Sequence, residues 1–190
     1  MAEGRDLALV RWGETLRRDR VRRRRRRRLT ALAAIVSAAS VASLAWPPRP
    51  LLLWNASPSA PVGLYGVTAP ASVGAGDMVI AWPPAEARHL AGRRGYLPVN
   101  VPLVKRVAAA PGDSVCAVGE AVFVNGRLAA RRREADGVGR PLSWWTGCLR
   151  LRAGQYLLLM SDSPSSFDGR YFGVTAQRVL VGKARLLWAP

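Results

Sequence analysis

The chain has 190 residues, 49% of them apolar, and a formal net charge of +17. That length has room for one terminal segment and one domain of ordinary size, and the apolar fraction suffices for a core. Of the 29 basic residues only Lys105 and Lys183 are lysines, with the single histidine His89, and arginine stays protonated, so almost every basic side chain is excluded as a general base. Cys116 and Cys148 are too far apart for a CxxC motif and too few for a four-ligand zinc site, so neither a metal nor a cofactor is expected.

Residues 1–28 form an arginine-rich tail with twelve arginines against four acids, a net +8, and end in seven consecutive arginines, Arg22 to Arg28. The next eighteen, 29–46, carry no charge. As a helix they span about 27 Å, just enough for a bilayer core, and Trp46 with Pro47-Pro48 supplies an interfacial aromatic and a helix stop. This pattern predicts one N-terminal transmembrane helix in the inner membrane, with the arginines cytoplasmic beside anionic lipid headgroups and residues 47–190 on the periplasmic face. A cleavable signal peptide ending near Ala42-Ser43-Leu44-Ala45 is the rival reading. No binding fold accompanies the arginines, so no specific nucleic acid is expected.

Next comes Asn55-Ala56-Ser57-Pro58-Ser59-Ala60-Pro61-Val62-Gly63-Leu64-Tyr65. Pro58 and Pro61 fix their own φ and push Ser57 and Ala60 towards extended geometry, leaving Ser59 on a stiff, non-helical stretch. The stretch reads either as a linker or as a loop presenting a serine hydroxyl at a constant angle.

Beyond it, short apolar runs broken by Gly, Pro and Asp predict strands at 51–54, 63–67, 77–82, 101–109, 114–118, 121–124, 155–161 and 179–188. Asn125-Gly126 is a tight-turn signal. Residues 84–98, including His89, read as a polar surface loop, and 129–147, ending in Trp144-Trp145, as another. The expected class is mostly β, a coiled antiparallel sheet or barrel.

Within the fourth run, alternation puts Lys105 on one side with Leu103 and Val107. A lysine among apolar neighbours is desolvated, which lowers its pKa towards the range a general base needs; a lysine snorkelling from a sheet edge is the other reading. Cys116 and Cys148 would be bridged in a domain outside the cytoplasm and remain buried thiols inside it.

Ser57-x-Ser59-x-Pro61-x-Gly63-Leu64-Tyr65, Leu103-Val104-Lys105-Arg106-Val107 with Pro111-Gly112-Asp113, and Ser161-Asp162-Ser163-Pro164-Ser165-Ser166-Phe167-Asp168-Gly169-Arg170 occur in this order. Together they resemble the bacterial type I signal peptidases, in the branch of conjugative-transfer, or TraF-type, peptidases. The resemblance implies a signal-peptidase fold and a Ser-Lys dyad. Ser59 would be the nucleophile and Lys105 the base, with Ser57 and the Ser59 amide as the oxyanion hole. Ser166 would orient the lysine, and Asp168 with Arg170 would be a supporting ion pair. It further implies cleavage of a membrane-held precursor, pilin-like in this branch, with water or an amine as acyl acceptor. General signal peptidases carry a methionine where this chain has Ala60, and Asp-Ser-Arg where it has Asp168-Gly169-Arg170. The alternatives are a general signal peptidase of exported proteins, a self-cleaving repressor of the LexA type, or a non-catalytic component of a secretion apparatus binding through Trp144 and Trp145.

Overall fold

The computed structural model describes residues 3–45 and 50–190, and the chain divides into two compact units, residues 1–49 and 50–190. In the first, helix α1 (Glu3–Ala45) runs without a break across the expected boundary between tail and anchor. Ser40 donates to the Val36 carbonyl and Ser43 to that of Ala39, both within the helix. The expected transmembrane span does not follow. Among the described residues no helix is long and apolar enough to cross a membrane. Trp46 and the Pro47-Pro48 stop lie outside the described residues.

The second unit is built on two antiparallel sheets. One has seven strands: β1 (Leu52–Asn55), β2 (Gly63–Thr68), β3 (Met78–Ala81), β4 (Leu103–Ala109), β9 (Gln155–Leu159), β10 (Val174–Ala176) and β11 (Leu180–Trp188). Their spatial order is β1-β2-β11-β3-β4-β9-β10. The other has four, β5 (Ser114–Val118), β6 (Ala121–Val124), β7 (Arg127–Arg131) and β8 (Gly147–Arg150), ordered β7-β6-β5-β8. Neither closes into the barrel that the sequence allowed. β1 and β10 each pair with one neighbour only, and β10, three residues long, offers too short an edge to close the sheet.

All eight strands expected from the sequence form, with no end moved by more than two residues. Asn125 and Gly126 both take positive φ, 50° and 76°, the backbone of a tight hairpin turn between β6 and β7. The strands missed, β7, β8 and β10, are short, and β8 is exposed throughout.

The expected polar loop at 84–98 contains a helix, α2 (Ala85–Arg94), and His89 lies on it, exposed. Alanines dominate its apolar side, with Ala87 and Ala91 buried one turn apart, so little apolar bulk signals the 3.6-residue period. Glu86 in its first turn and Arg93-Arg94 in its last match the helix dipole and are the signal that could have revealed it.

Three groups of buried side chains make the core. One joins the two sheets through Val115, Val122, Leu157 and Leu159. A second gathers Ala60, Tyr65, Ile80, Val104 and Met160, and a third gathers Val79, Val107, Tyr156, Leu158 and Leu180. Ala60 belongs to the second group, so the proline-rich loop is tucked into the core rather than trailing as a linker. Trp144 and Trp145 are also engaged. Trp144 donates to the Arg133 carbonyl beneath the Arg132 guanidinium, and Trp145 donates to the Gly169 carbonyl.

Cys116 and Cys148 stand opposite each other on β5 and β8 and form a disulfide across a sequence separation of 32. A loop of that size is worth roughly 3 to 4 kcal/mol in the chain-entropy picture. Dithiothreitol, or the Cys116→Ser/Cys148→Ser pair, should lower the melting temperature of the full chain. An unchanged melting curve would mean that the bond leaves the unfolded state unconstrained.

Candidate active site

Asn55 ends β1, and the loop 56–62 leads into β2, so the Pro-locked serines sit at the tip of a hairpin whose arms are held in register from Leu52↔Gly66 to Asn55↔Gly63. Lys105 lies in the middle of β4, paired with Val79 of β3. Three strands separate β1 from β4 in the sheet, and successive strands rotate by roughly 20 to 25°, which swings the hairpin tip across to β4. The Lys105 Nζ donates to Ser59 Oγ at 2.7 Å and to Ser166 Oγ at 2.8 Å. Lys105 is 2% exposed, so the snorkelling alternative does not describe it. Burial lowers its pKa to about 8; the Asp168 carboxylate pulls it up and the Arg170 guanidinium pushes it further down.

Ser57 Oγ lies 3.0 Å from Ser59 Oγ, and either hydroxyl can donate. The Asn55 side chain holds this loop. Its Nδ2 faces the carbonyls of Ser57 at 3.0 Å, Ala60 at 3.2 Å and Pro61 at 3.0 Å, while its Oδ1 accepts the Ser57 N–H at 3.1 Å. Read in sequence, Asn55 opened the loop without a role. The available signal was an amide side chain next to two prolines that lack N–H groups.

Asp168 and Arg170 form an ion pair at 2.8 Å with 0% and 1% residue exposure. Every guanidinium donor is used: Nε and one Nη2 hydrogen on Asp168, Nη2 also on the Met160 carbonyl, and Nη1 on the carbonyls of Arg131 and Pro164. Asp168 in turn accepts the backbone N–H groups of Met160 and Arg170. Buried charges so fully bonded fix the segment carrying Ser166. Gly169, the point of departure from Asp-Ser-Arg, packs against β9. A Cβ there would lie 2.8 Å from the Leu158 carbonyl oxygen, so the position excludes a side chain rather than merely lacking a hydroxyl. Ala60 is likewise buried, at 3% exposure, where a methionine's extra length would have to enter the core.

Asn55, Ser57, Ser59, Lys105 and Ser166 border a cleft of about 570 Å³. Trp54, Leu97, Val101, Leu142 and Phe167 make much of its lining apolar. Its two rims meet at Asp136, which accepts the Tyr96 hydroxyl and, at 2.6 Å, the Arg140 Nε. Removal from water opposes its ionisation, but the hydrogen bonds from Tyr96, Arg140 and Val138 hold its carboxyl well below the usual range. All six residues singled out in the sequence, Ser57, Ser59, Lys105, Ser166, Asp168 and Arg170, thus fall in one neighbourhood, and His89 does not line this cleft.

The chain matches the family described as "Signal peptidase, peptidase S26" over residues 24–189 and belongs to that family, in its TraF-type branch. It is 39% identical over 129 residues to the Plasmid transfer protein TraF of Escherichia coli, an alignment covering 63% of this chain and 72% of that protein. It is 35% identical over 150 residues to the Probable conjugal transfer protein TraF of Sinorhizobium fredii (strain NBRC 101917 / NGR234), covering 72% and 77%. A crystal structure of a signal peptidase I from Enterococcus faecalis V583, 18% identical, matches 59% of this chain and 96% of its own with a TM-score of 0.35.

Removing one member of the buried ion pair leaves the other unpaired in the interior. Asp168→Ala should therefore cost about 3 to 5 kcal/mol of folding stability in urea denaturation of the full chain, against about 1 kcal/mol or less for the exposed Glu86→Ala. A loss below about 1 kcal/mol would mean that water reaches Arg170.

Proposed function

We propose that this protein is a serine endopeptidase that cleaves precursor proteins for conjugal transfer, with Ser59 as nucleophile and Lys105 as general base. The observation that carries the reading is the buried Lys105 amine 2.7 Å from the Ser59 hydroxyl, with a pKa lowered to about 8. Once neutral, the amine has a lone pair for the Ser59 proton. The Ser59 oxygen attacks the scissile carbonyl, and the proton passes through Lys105 to the leaving amine. A water deprotonated by Lys105 then releases the acyl group. The Ser57 hydroxyl and the Ser59 N–H hold the oxyanion, and Ser166 keeps the amine aimed at Ser59.

The relatives' names support conjugal transfer as the setting, and we take the substrate to be a pilin-like precursor held at a membrane. The apolar cleft suits an extended, small-residue peptide segment. The disulfide supports residence of this domain in an oxidising compartment such as the periplasm. The exposed arginines of α1 would hold anionic lipid headgroups on the cytoplasmic side.

Cleavage of a pilin-like precursor by detergent-treated full chain tests the reading. Lys105→Ala should lose about 10²- to 10⁴-fold in rate, and Ser57→Ala about 10²- to 10³-fold. Ser59→Ala should not cut. Lys183→Ala, whose ammonium pairs with Asp77 at the surface, should cut normally. Normal cleavage by Lys105→Ala would sink the dyad.

Because only neutral Lys105 accepts the proton, kcat/KM should rise with pH through about 8 and level off above it. A profile flat from pH 6 to 9 would assign the proton transfer to another group.

A further inference from the structure

The loop that carries both serines makes few hydrogen bonds of its own. Pro58 and Pro61 have no N–H to give, and the backbone bond across the tip, Ala60 N–H to the Ser57 carbonyl, is long at 3.4 Å. The carbonyls of Ser57, Ala60 and Pro61 therefore depend on a donor from elsewhere. The two hydrogens of the Asn55 Nδ2 are shared among all three, while its own oxygen takes the Ser57 N–H. The side chain is 6% exposed, so water competes little for these bonds, and its base is fixed by the pairing of Asn55 with Gly63. Both backbone groups of Ser57 are thus held by one amide.

We propose that Asn55 is a positioning residue of the peptidase: it acts through Ser57, aiming the hydroxyl that stabilises the oxyanion and keeping it 3.0 Å from Ser59. The inference rests on the Ser-Lys reading of the site. No other side-chain type of this size performs the task. Aspartate keeps the acceptor for Ser57 N–H but turns a carboxylate on three carbonyl oxygens, and alanine leaves the loop without its donors. Tyr65 ties the same loop at a different point, since its hydroxyl donates to the Pro61 carbonyl at 2.8 Å without touching Ser57. It separates general loop support from aim.

The test compares wild type, Ser59→Ala, Asn55→Ala, Asn55→Asp, Ser57→Ala, Tyr65→Phe and the Asn55→Ala/Ser57→Ala double variant of the full chain on the same pilin-like precursor. Both Asn55 variants should lose about 10²-fold in kcat, in the range of an oxyanion donor. KM should stay within a few-fold, and the rise with pH should stay near 8, because the Lys105 surroundings are untouched. The double variant should be no slower than Ser57→Ala alone, since both changes remove the same interaction. Tyr65→Phe should keep the wild-type kcat. Losses that multiply in the double variant, a displaced pH limb, or an Asn55→Ala within threefold of wild type would overturn the proposal. If Ser59→Ala cuts as well as wild type, the peptidase reading falls and this inference with it. If Ser59→Ala is dead and Asn55→Ala is not, only the inference falls. Hydrogen exchange over residues 56–61, read by mass spectrometry without substrate, decides independently of cleavage. It should quicken in Asn55→Ala, and unchanged exchange would overturn the role of Asn55.

Discussion

The buried amine of Lys105 is the constraint on which the rest of the second unit depends. An ammonium taken out of water loses its hydration, and here two serine hydroxyls replace it at 2.7 and 2.8 Å. Two hydroxyls are a weaker shell than water, so burial drags the pKa down to about 8. The same dehydration that makes the lysine costly to keep charged makes its neutral form available near physiological pH. The hairpin tip and the 160–170 segment serve that one group, each bringing a hydroxyl to it from a different part of the chain.

The second of these is the better braced. Arg170 spends all its donors on Asp168 and on three carbonyls, one of them Arg131 on β7 of the smaller sheet. The ion pair therefore ties the Ser166 segment to both sheets at once, where a surface pair would leave it mobile. Gly169 completes the fit by letting this turn lie directly on the β9 backbone. The ion pair also sets the electrostatics of the lysine, since its two ends act on Lys105 in opposite directions.

The hairpin tip is held differently, by one neutral amide and a tyrosine hydroxyl, with Ala60 as its apolar anchor in the core. Neutral donors suit a place beside a base, because an ionised side chain there would shift Lys105 away from the value its neighbours give it. A small side chain at position 60 lets the tip sink far enough for Ser59 to meet the amine.

Much of this was written locally. The prolines stiffen 57–61 through their own rings, β4 buries Leu103, Lys105 and Val107 on one face while Arg106 on the other stays exposed although Val104 there is buried, and Asn125-Gly126 makes its turn from backbone conformations those residues favour. Resemblance carried the six site residues. The sequence misled where its signal was faint, since α2 hides behind alanines. Tertiary structure alone decided that the sheet stays open, that Cys116 faces Cys148, that Asn55 supports the serines, and that Ser59 and Ser166, 46 and 61 positions from Lys105, converge on its amine. The division has a physical cause. Torsional preference and burial pattern act between neighbours in the chain, whereas these contacts arise from strand order and sheet twist, which no short stretch of residues encodes.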